Sequence, residues 1–306
     1  MEVIILTPNR EGVFSKELEQ RLSQLGHIVF KTEVTPLSAI PELKSASDKI
    51  LALDPDFVNW SFTKDDIASI ENLRAICLQT TSFGWIDTGY ATERGIPVVN
   101  LRGFSTEAVA EFSLMMTLML ARKIPVVIHD GFKQDFVRHQ GTELRGKTVG
   151  IVGLGSIGKR YAELCSGLGM KVMYWSRSSE DTRYESVELR HLISSADVIF
   201  PALADNDETK RIMTNELLAQ MKPNALFVSI AHKLYDHDFV LNLAEQGKIA
   251  GYAFEEENGN PADHKGNVLA LPALAWATDG SMQKNGELWT EAITDAAQGK
   301  YQTKIN

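Results

Sequence analysis

The chain has 306 residues, 44% of them hydrophobic, and a formal net charge of -9. That length and apolar content support a large core divided between about two domains. The acidic balance argues against a protein that neutralises a phosphate backbone, so no nucleic-acid partner is expected.

The opening "MEVIILTPNR" lacks the basic start and cleavage site of a secretory leader and reads as a first strand, "EVIIL". The helical pattern "SKELEQRLSQLG" and the strand "HIVFKTEV" follow, and then "LRAICLQT", "IDTGYATERG" and "IPVVNL" repeat the strand–helix–strand rhythm. "TEAVAEFSLMMTLMLARK" predicts a long helix. Its apolar stretch is about half the length that spans a bilayer, so no membrane partner is expected. A second series runs through "TVGIVGLG", "KVMYWSR", "ADVIFPAL", "ALFVSIA", "IAGYAFE" and "LAWAT". "GELWTEAITDAAQGKY" closes it as an amphipathic helix. The alternation predicts an α/β protein with two Rossmann-like, doubly wound parallel-sheet domains and a cleft between them. Cys77 and Cys165 lack metal-ligand spacing, so no metal is expected, and two stray thiols fit a reducing, cytoplasmic setting.

The most specific local motif is "TVGIVGLGSIGKRYAELCSGLG". A strand runs into Gly153-Leu154-Gly155-Ser156-Ile157-Gly158 and a helix follows. The first glycine permits the turn, the second lets the backbone approach a pyrophosphate, and the third lets the helix pack on the strand. The helix N-terminus offers N–H groups to the phosphates. The second strand ends in Ser176-Arg177-Ser178, with no carboxylate for a ribose 2′-hydroxyl. Arg177 can pair with a 2′-phosphate and the two hydroxyls can donate to it, which favours NADP(H) over NAD(H).

Taken together, the motifs resemble the D-isomer-specific 2-hydroxyacid dehydrogenases over nearly the whole length. The resemblance is carried by "NLRAICLQTTSFGWIDTGYATERGIPVVNLRGFSTEAVAEFSLMMTLMLAR", the glycine-turn segment, "ADVIFPALADNDETKRIMTNELLAQMKPNALFVSIA" and "VLNLAEQGKIAGYAFE". It implies a substrate domain of residues 1–101 plus 282–306 and a dinucleotide domain of 102–281. It implies a homodimer contact through the helix near residues 107–121. It places backbone N–H groups around Ser82, Phe83 and Gly84 against a substrate anion, with Trp85 beside them. Thr106 and Val109 would lie near the nicotinamide. Thr209, Ile230, Ala231 and Glu255 are assigned to the cofactor side.

The family's chemistry uses an arginine, a histidine and a glutamate, and this sequence departs at all three places. "SIAHK" puts His232 where the arginine would stand, with Lys233 next. "NGNP" puts Asn260 at the glutamate position, and "WATDG" puts Asp279 at the histidine position. A free aspartate is protonated about one time in a thousand at pH 7, which makes it a poor acid for ketone reduction. Two catalytic schemes keep hydride transfer. In one, His232 donates the proton and Asp279 orients it. In the other, an ionised Asp279 stabilises a cationic imine as hydride adds. Imine reduction explains both the lost arginine and the gained carboxylate. Trp85 and Trp276 either wall a larger substrate or pack structurally. A second class stays open: an NADP(H)-binding protein or sensor without turnover.

Overall fold

The computed structural model describes residues 1–204, 208–231, 233–256 and 259–306. The chain divides into two compact units, residues 1–105 with 278–306, and residues 106–277. It crosses between them at the starts of two helices, Thr106–Ala121 and Asp279–Ala297. The crossings stand a few residues from the expected 101/102 and 281/282, and Asp279 therefore belongs to the first unit rather than the second.

The first unit holds strands β1 (Glu2–Leu6), β2 (His27–Lys31), β3 (Lys49–Leu53), β4 (Leu73–Leu78) and β5 (Val98–Val99). They form a parallel sheet in the order β2-β1-β3-β4-β5. Alternation along β1 sends Ile4 and Leu6 into one core cluster and Val3 and Ile5 into another. Both faces are apolar because both are covered, as a parallel sheet requires. Trp289 of the closing helix is fully buried, and its indole N–H donates to the Cys77 carbonyl on β4 at 2.9 Å.

The second unit holds β6 (Thr148–Val152), β7 (Lys171–Trp175), β8 (Glu185–Ser186), β9 (Val198–Pro201), β10 (Leu226–Ser229), β11 (Gly251–Glu256) and β12 (Val268–Pro272). All pair in parallel, in the order β12-β11-β10-β9-β6-β7-β8. The connection reverses direction between β6 and β9, and such switch points are where open α/β sheets bind ligands. The chain is thus an α/β protein with two parallel-sheet domains of five and seven strands. Among the described residues no helix is long and apolar enough to cross a membrane.

Several elements differ from the sequence expectation. "LAWAT" is not a strand. Pro272 ends β12, and a turn follows in which Leu274 N–H reaches the Pro272 carbonyl at 2.8 Å. The closing helix begins at Asp279, seven residues before the expected start at Gly286. Gly286 sits inside it because a methyl group there would lie 2.0 Å from the Val13 carbonyl. Strand β3 went unread behind its leading Lys49, which is fully buried. Its ammonium donates to the carbonyls of Ser45, Ser47 and Glu71.

Candidate active site

The glycine turn has the backbone that a dinucleotide needs. Gly153 adopts φ +104°, open to glycine and strained for other residues. Its N–H donates to the Trp175 carbonyl at 2.8 Å, which sets the end of β7 beside the turn. A methyl group on Gly155 would meet nothing within 4 Å, whereas one on Gly158 would lie 2.2 Å from the Gly153 carbonyl. The first glycine therefore leaves an open face and the third permits close packing. Gly155 caps the helix Ser156–Gly167 without a side-chain hydrogen bond, so the helix N–H groups stay available to an anion. Buried Leu154 and half-buried Ile157 anchor the turn to the core, and Ser156 is exposed.

After β7, Ser176 Oγ accepts the Ser179 N–H at 3.0 Å, and Ser178 is exposed. Arg177 is exposed and its Nη1 lies 2.9 Å from Glu208 Oε2. A surface pair of this kind is weak and can exchange for a phosphate. These residues and the open face at Gly155 fit a nicotinamide dinucleotide.

The remaining cofactor-side residues are more enclosed. Thr209 is buried, and its hydroxyl donates to the Ala204 carbonyl at 2.6 Å. Ile230 and Ala231 are half-buried at the end of β10. The Ala231 N–H donates to Ser229 Oγ at 3.1 Å, and the same hydroxyl donates back to the Ala231 carbonyl at 2.8 Å. Glu255 is 7% exposed on β11, and its Oε1 accepts the Ala275 N–H at 2.7 Å. Burial pushes its carboxyl up from the usual range, against the pull of the Ala275 and Leu274 N–H groups. Glu255 therefore pins the turn after β12.

In the first unit, the loop after β4 carries Ser82, Phe83, Gly84 and Trp85. The Ser82 carbonyl accepts the Thr80 hydroxyl at 2.8 Å and the Trp85 indole at 3.0 Å. Among the described residues, the N–H groups of Ser82, Phe83 and Gly84 have no acceptor, and all three residues are exposed. That is a surface able to receive a carboxylate. The loop is tied down from behind, since Asn100 Nδ2 donates to the Thr81 carbonyl and Asn285 Nδ2 to the Gln79 carbonyl.

Sequence reasoning missed a buried polar cluster at the carboxyl ends of β1, β3 and β4. The Thr7 hydroxyl donates to Asp54 at 2.7 Å, and the Gln79 amide nitrogen donates to both Asp54 oxygens at 3.1 and 2.9 Å. Burial raises the Asp54 pKa, and these donors oppose the shift. Each of the three residues stands directly after a strand, but β3 was not legible in the sequence and so neither was the cluster.

Asp279 is the exposed first residue of the closing helix, and its Oδ1 accepts the Gly280 N–H at 2.7 Å. It lines a groove of about 800 Å³ with Glu11, Glu17, Glu287 and Glu291, where Arg21 is the one basic side chain among the described lining residues. Among the described residues no cation pairs with Asp279. Asn260 is exposed and caps the short turn Pro261–Asp263, accepting the Ala262 N–H at 3.1 Å. His232 lies outside the described residues, so its approach to Asp279 is not described.

Three further histidines have partners in the fold. His139 Nε2 lies 2.7 Å from Asp130, His237 Nδ1 lies 2.9 Å from the Tyr252 hydroxyl, and His264 sits between Glu245 and Glu256 at 3.8 and 3.6 Å. Trp85 packs edge-on to Trp60, and Trp276 is 45% exposed. No group of three possible ligands for a metal occurs among the described residues.

Residues 114–277 match the family model described as D-isomer specific 2-hydroxyacid dehydrogenase, NAD binding domain. A glyoxylate reductase of Aeropyrum pernix is 32% identical over 258 residues, covering 77% of each chain. A D-3-phosphoglycerate dehydrogenase of Methanocaldococcus jannaschii is 29% identical over 294 residues, which is 91% of this chain and 55% of that protein. A solved acyclic imino acid reductase in complex with NADPH and D-Arg superposes with a TM-score of 0.85 at 24% identity, covering all of both chains, a likeness of fold. The parallel sheets, the glycine turn and these relatives place the chain in the D-isomer specific 2-hydroxyacid dehydrogenase family.

Proposed function

We propose that this chain is an NADP(H)-dependent oxidoreductase whose electrophile is a C=N bond rather than a 2-keto acid. The observation that carries the proposal is the Asp279 carboxylate, unpaired with any described cation and set among Glu11, Glu17, Glu287 and Glu291. Such a groove favours a cationic iminium and disfavours an anion. Bound NADPH supplies a hydride. The iminium carbon accepts it, and the nitrogen keeps the proton it already carries, so the products are NADP⁺ and an amine. Asp279 stabilises the cation before transfer. The open N–H groups of Ser82, Phe83 and Gly84 suit a carboxylate on the same substrate. His232 stands where this family's arginine would be and serves as proton donor should the imine arrive neutral.

The solved relative that bears the name imino acid reductase supports this choice, whereas the curated relatives named glyoxylate reductase favour ordinary keto-acid chemistry. Arg177, without a ribose carboxylate at the end of β7, supports NADP(H). The proposal includes a cytoplasmic homodimer formed through the helix Thr106–Ala121, which exposes Met115 and Leu118.

A second reading is an NADP(H)-binding protein without turnover. It is favoured by the intact glycine turn, taken with the sequence reading that His232, Asn260 and Asp279 replace the family's three catalytic residues. NADPH oxidation by the purified protein, against panels of imino acids and 2-keto acids, tests the two. Turnover confined to the imino acids is expected. A preference for keto acids would overturn the proposal, and no turnover with NADPH still binding would favour the second reading.

A further inference from the structure

The loop between β7 and β8, residues 176–184, carries Ser176, Arg177 and Ser178 at its start. Arg177 and Ser178 are exposed, yet the loop is held on both sides of them. At the near end, Ser176 Oγ accepts the Ser179 N–H at 3.0 Å. Farther along, the Asp181 N–H donates to the Tyr174 hydroxyl at 3.1 Å. Tyr174 stands on β7, is 3% exposed, and belongs to the same core cluster as Tyr161, Ala162 and Cys165 of the helix Ser156–Gly167. Its hydroxyl therefore ties the middle of the loop to a fixed point in the core.

The Asp181 carboxylate completes the clamp. Arg183 donates to it with two arms, Nε to Oδ1 at 2.9 Å and Nη2 to Oδ2 at 2.6 Å, a bidentate pair. The Arg183 N–H donates to Oδ1 as well, at 3.1 Å. The hydrogen bond from Arg183 holds the Asp181 carboxyl down at about 2, so it is ionised at neutral pH. The third Arg183 nitrogen, Nη1, donates to Glu163 Oε1 at 3.0 Å, on the helix Ser156–Gly167. Arg160 of that helix takes the other Glu163 oxygen at 3.1 Å and pairs with Glu107 at 2.7 Å. A lone exposed ion pair fixes little, but a bidentate pair within a network of charges holds its geometry better. The loop that carries Arg177 is thus fastened to the helix whose N-terminus forms the glycine turn.

We propose that Tyr174, Asp181, Arg183 and Glu163 are positioning residues that set the loop after β7, and Arg177 with it, for the 2′-phosphate of NADPH. This rests on the NADP(H) reading above. The sign of one substitution separates positioning from simple charge. Asp181 is a negative group on the same loop as Arg177. Acting by charge alone it would repel a 2′-phosphate, and its removal would tighten NADPH binding. Acting as a clamp, its removal weakens NADPH binding.

The test is the affinity of the purified protein for NADPH and for NADH, measured by calorimetry. It compares the wild type, Asp181→Ala and Tyr174→Phe, and each of these substitutions combined with Arg177→Ala. The wild type is expected to prefer NADPH. Each single variant should weaken NADPH binding about threefold or more and leave NADH binding within about twofold. In the Arg177→Ala background neither substitution should weaken NADPH binding further, because the clamp acts through Arg177. Unchanged or tighter NADPH binding in either single variant, an equal loss for both cofactors, or a full additional loss on top of Arg177→Ala overturns the proposal. Should Tyr174→Phe not fold, the surface variant Arg183→Gln is read in its place with the same expectations. A wild type without preference for NADPH overturns the NADP(H) reading and this proposal with it. A preference that survives both single variants overturns this proposal alone.

Discussion

At Gly155 an added methyl group has open space, and at Gly158 it runs into the Gly153 carbonyl. The two alanine variants therefore separate cofactor binding from folding. Gly155→Ala should keep the wild-type melting temperature and weaken NADPH binding about tenfold or more, measured by calorimetry, because the methyl group occupies the face meant for the pyrophosphate. Gly158→Ala should lower the melting temperature itself, since backbone would have to move. In the proposed function Arg177 is the residue that would select between the two cofactors. Arg177→Ala should weaken NADPH binding at least about tenfold and leave NADH binding within about twofold, read by fluorescence titration. Equal losses for both cofactors would remove the argument for a 2′-phosphate. These residues were legible in the sequence because the turn chemistry is local: strand, three glycines and helix in one run. The Thr7–Asp54–Gln79 cluster and the Tyr252–His237 contact were not, because each joins residues distant in sequence through the order of strands.

At the scale of elements, the closing helix shows how a capped start decides where Asp279 stands. Thr278 and Ser281 form a capping box, each side chain accepting from the other's backbone N–H. That places Asp279 in the first turn, where a carboxylate is favoured by the helix dipole. Gly280 and Gly286 hid this start in the sequence, since glycine is a poor helix former and a common stop. Thr278→Ala should cost about 1 kcal/mol of stability by denaturant unfolding, as loss of an N-cap typically does. Thr278→Ser should recover most of it. Strand β3 was hidden in the same way, by a lysine that reads as surface and is in fact satisfied by three carbonyls in the core. Strand β1 was read correctly to the residue, because both of its faces are apolar and no charged residue interrupts it after Glu2.

At the scale of the whole molecule, the alternating rhythm of the chain yielded two parallel sheets in sequence, but the strand orders came only with the structure. The second unit exposes Met115 and Leu118 on its long helix and Phe132, Phe136 and Val137 just beyond it. An apolar surface of that composition suits a second copy of the chain. If the chain dimerises through this surface as proposed, Leu118→Glu with Phe136→Asp should halve the mass found by light scattering, and an unchanged mass would overturn that proposal. The acidic groove around Asp279 carries the central claim of the proposed function, that Asp279 stabilises a cationic substrate. The most direct measurement is NADPH-dependent reduction of a cyclic imino acid by the wild type and by Asp279→Ala, with NADPH affinity measured in both. A fall of about 100-fold or more in kcat/KM, at unchanged NADPH affinity, is the predicted result. Imine reduction that survives the substitution would contradict the account.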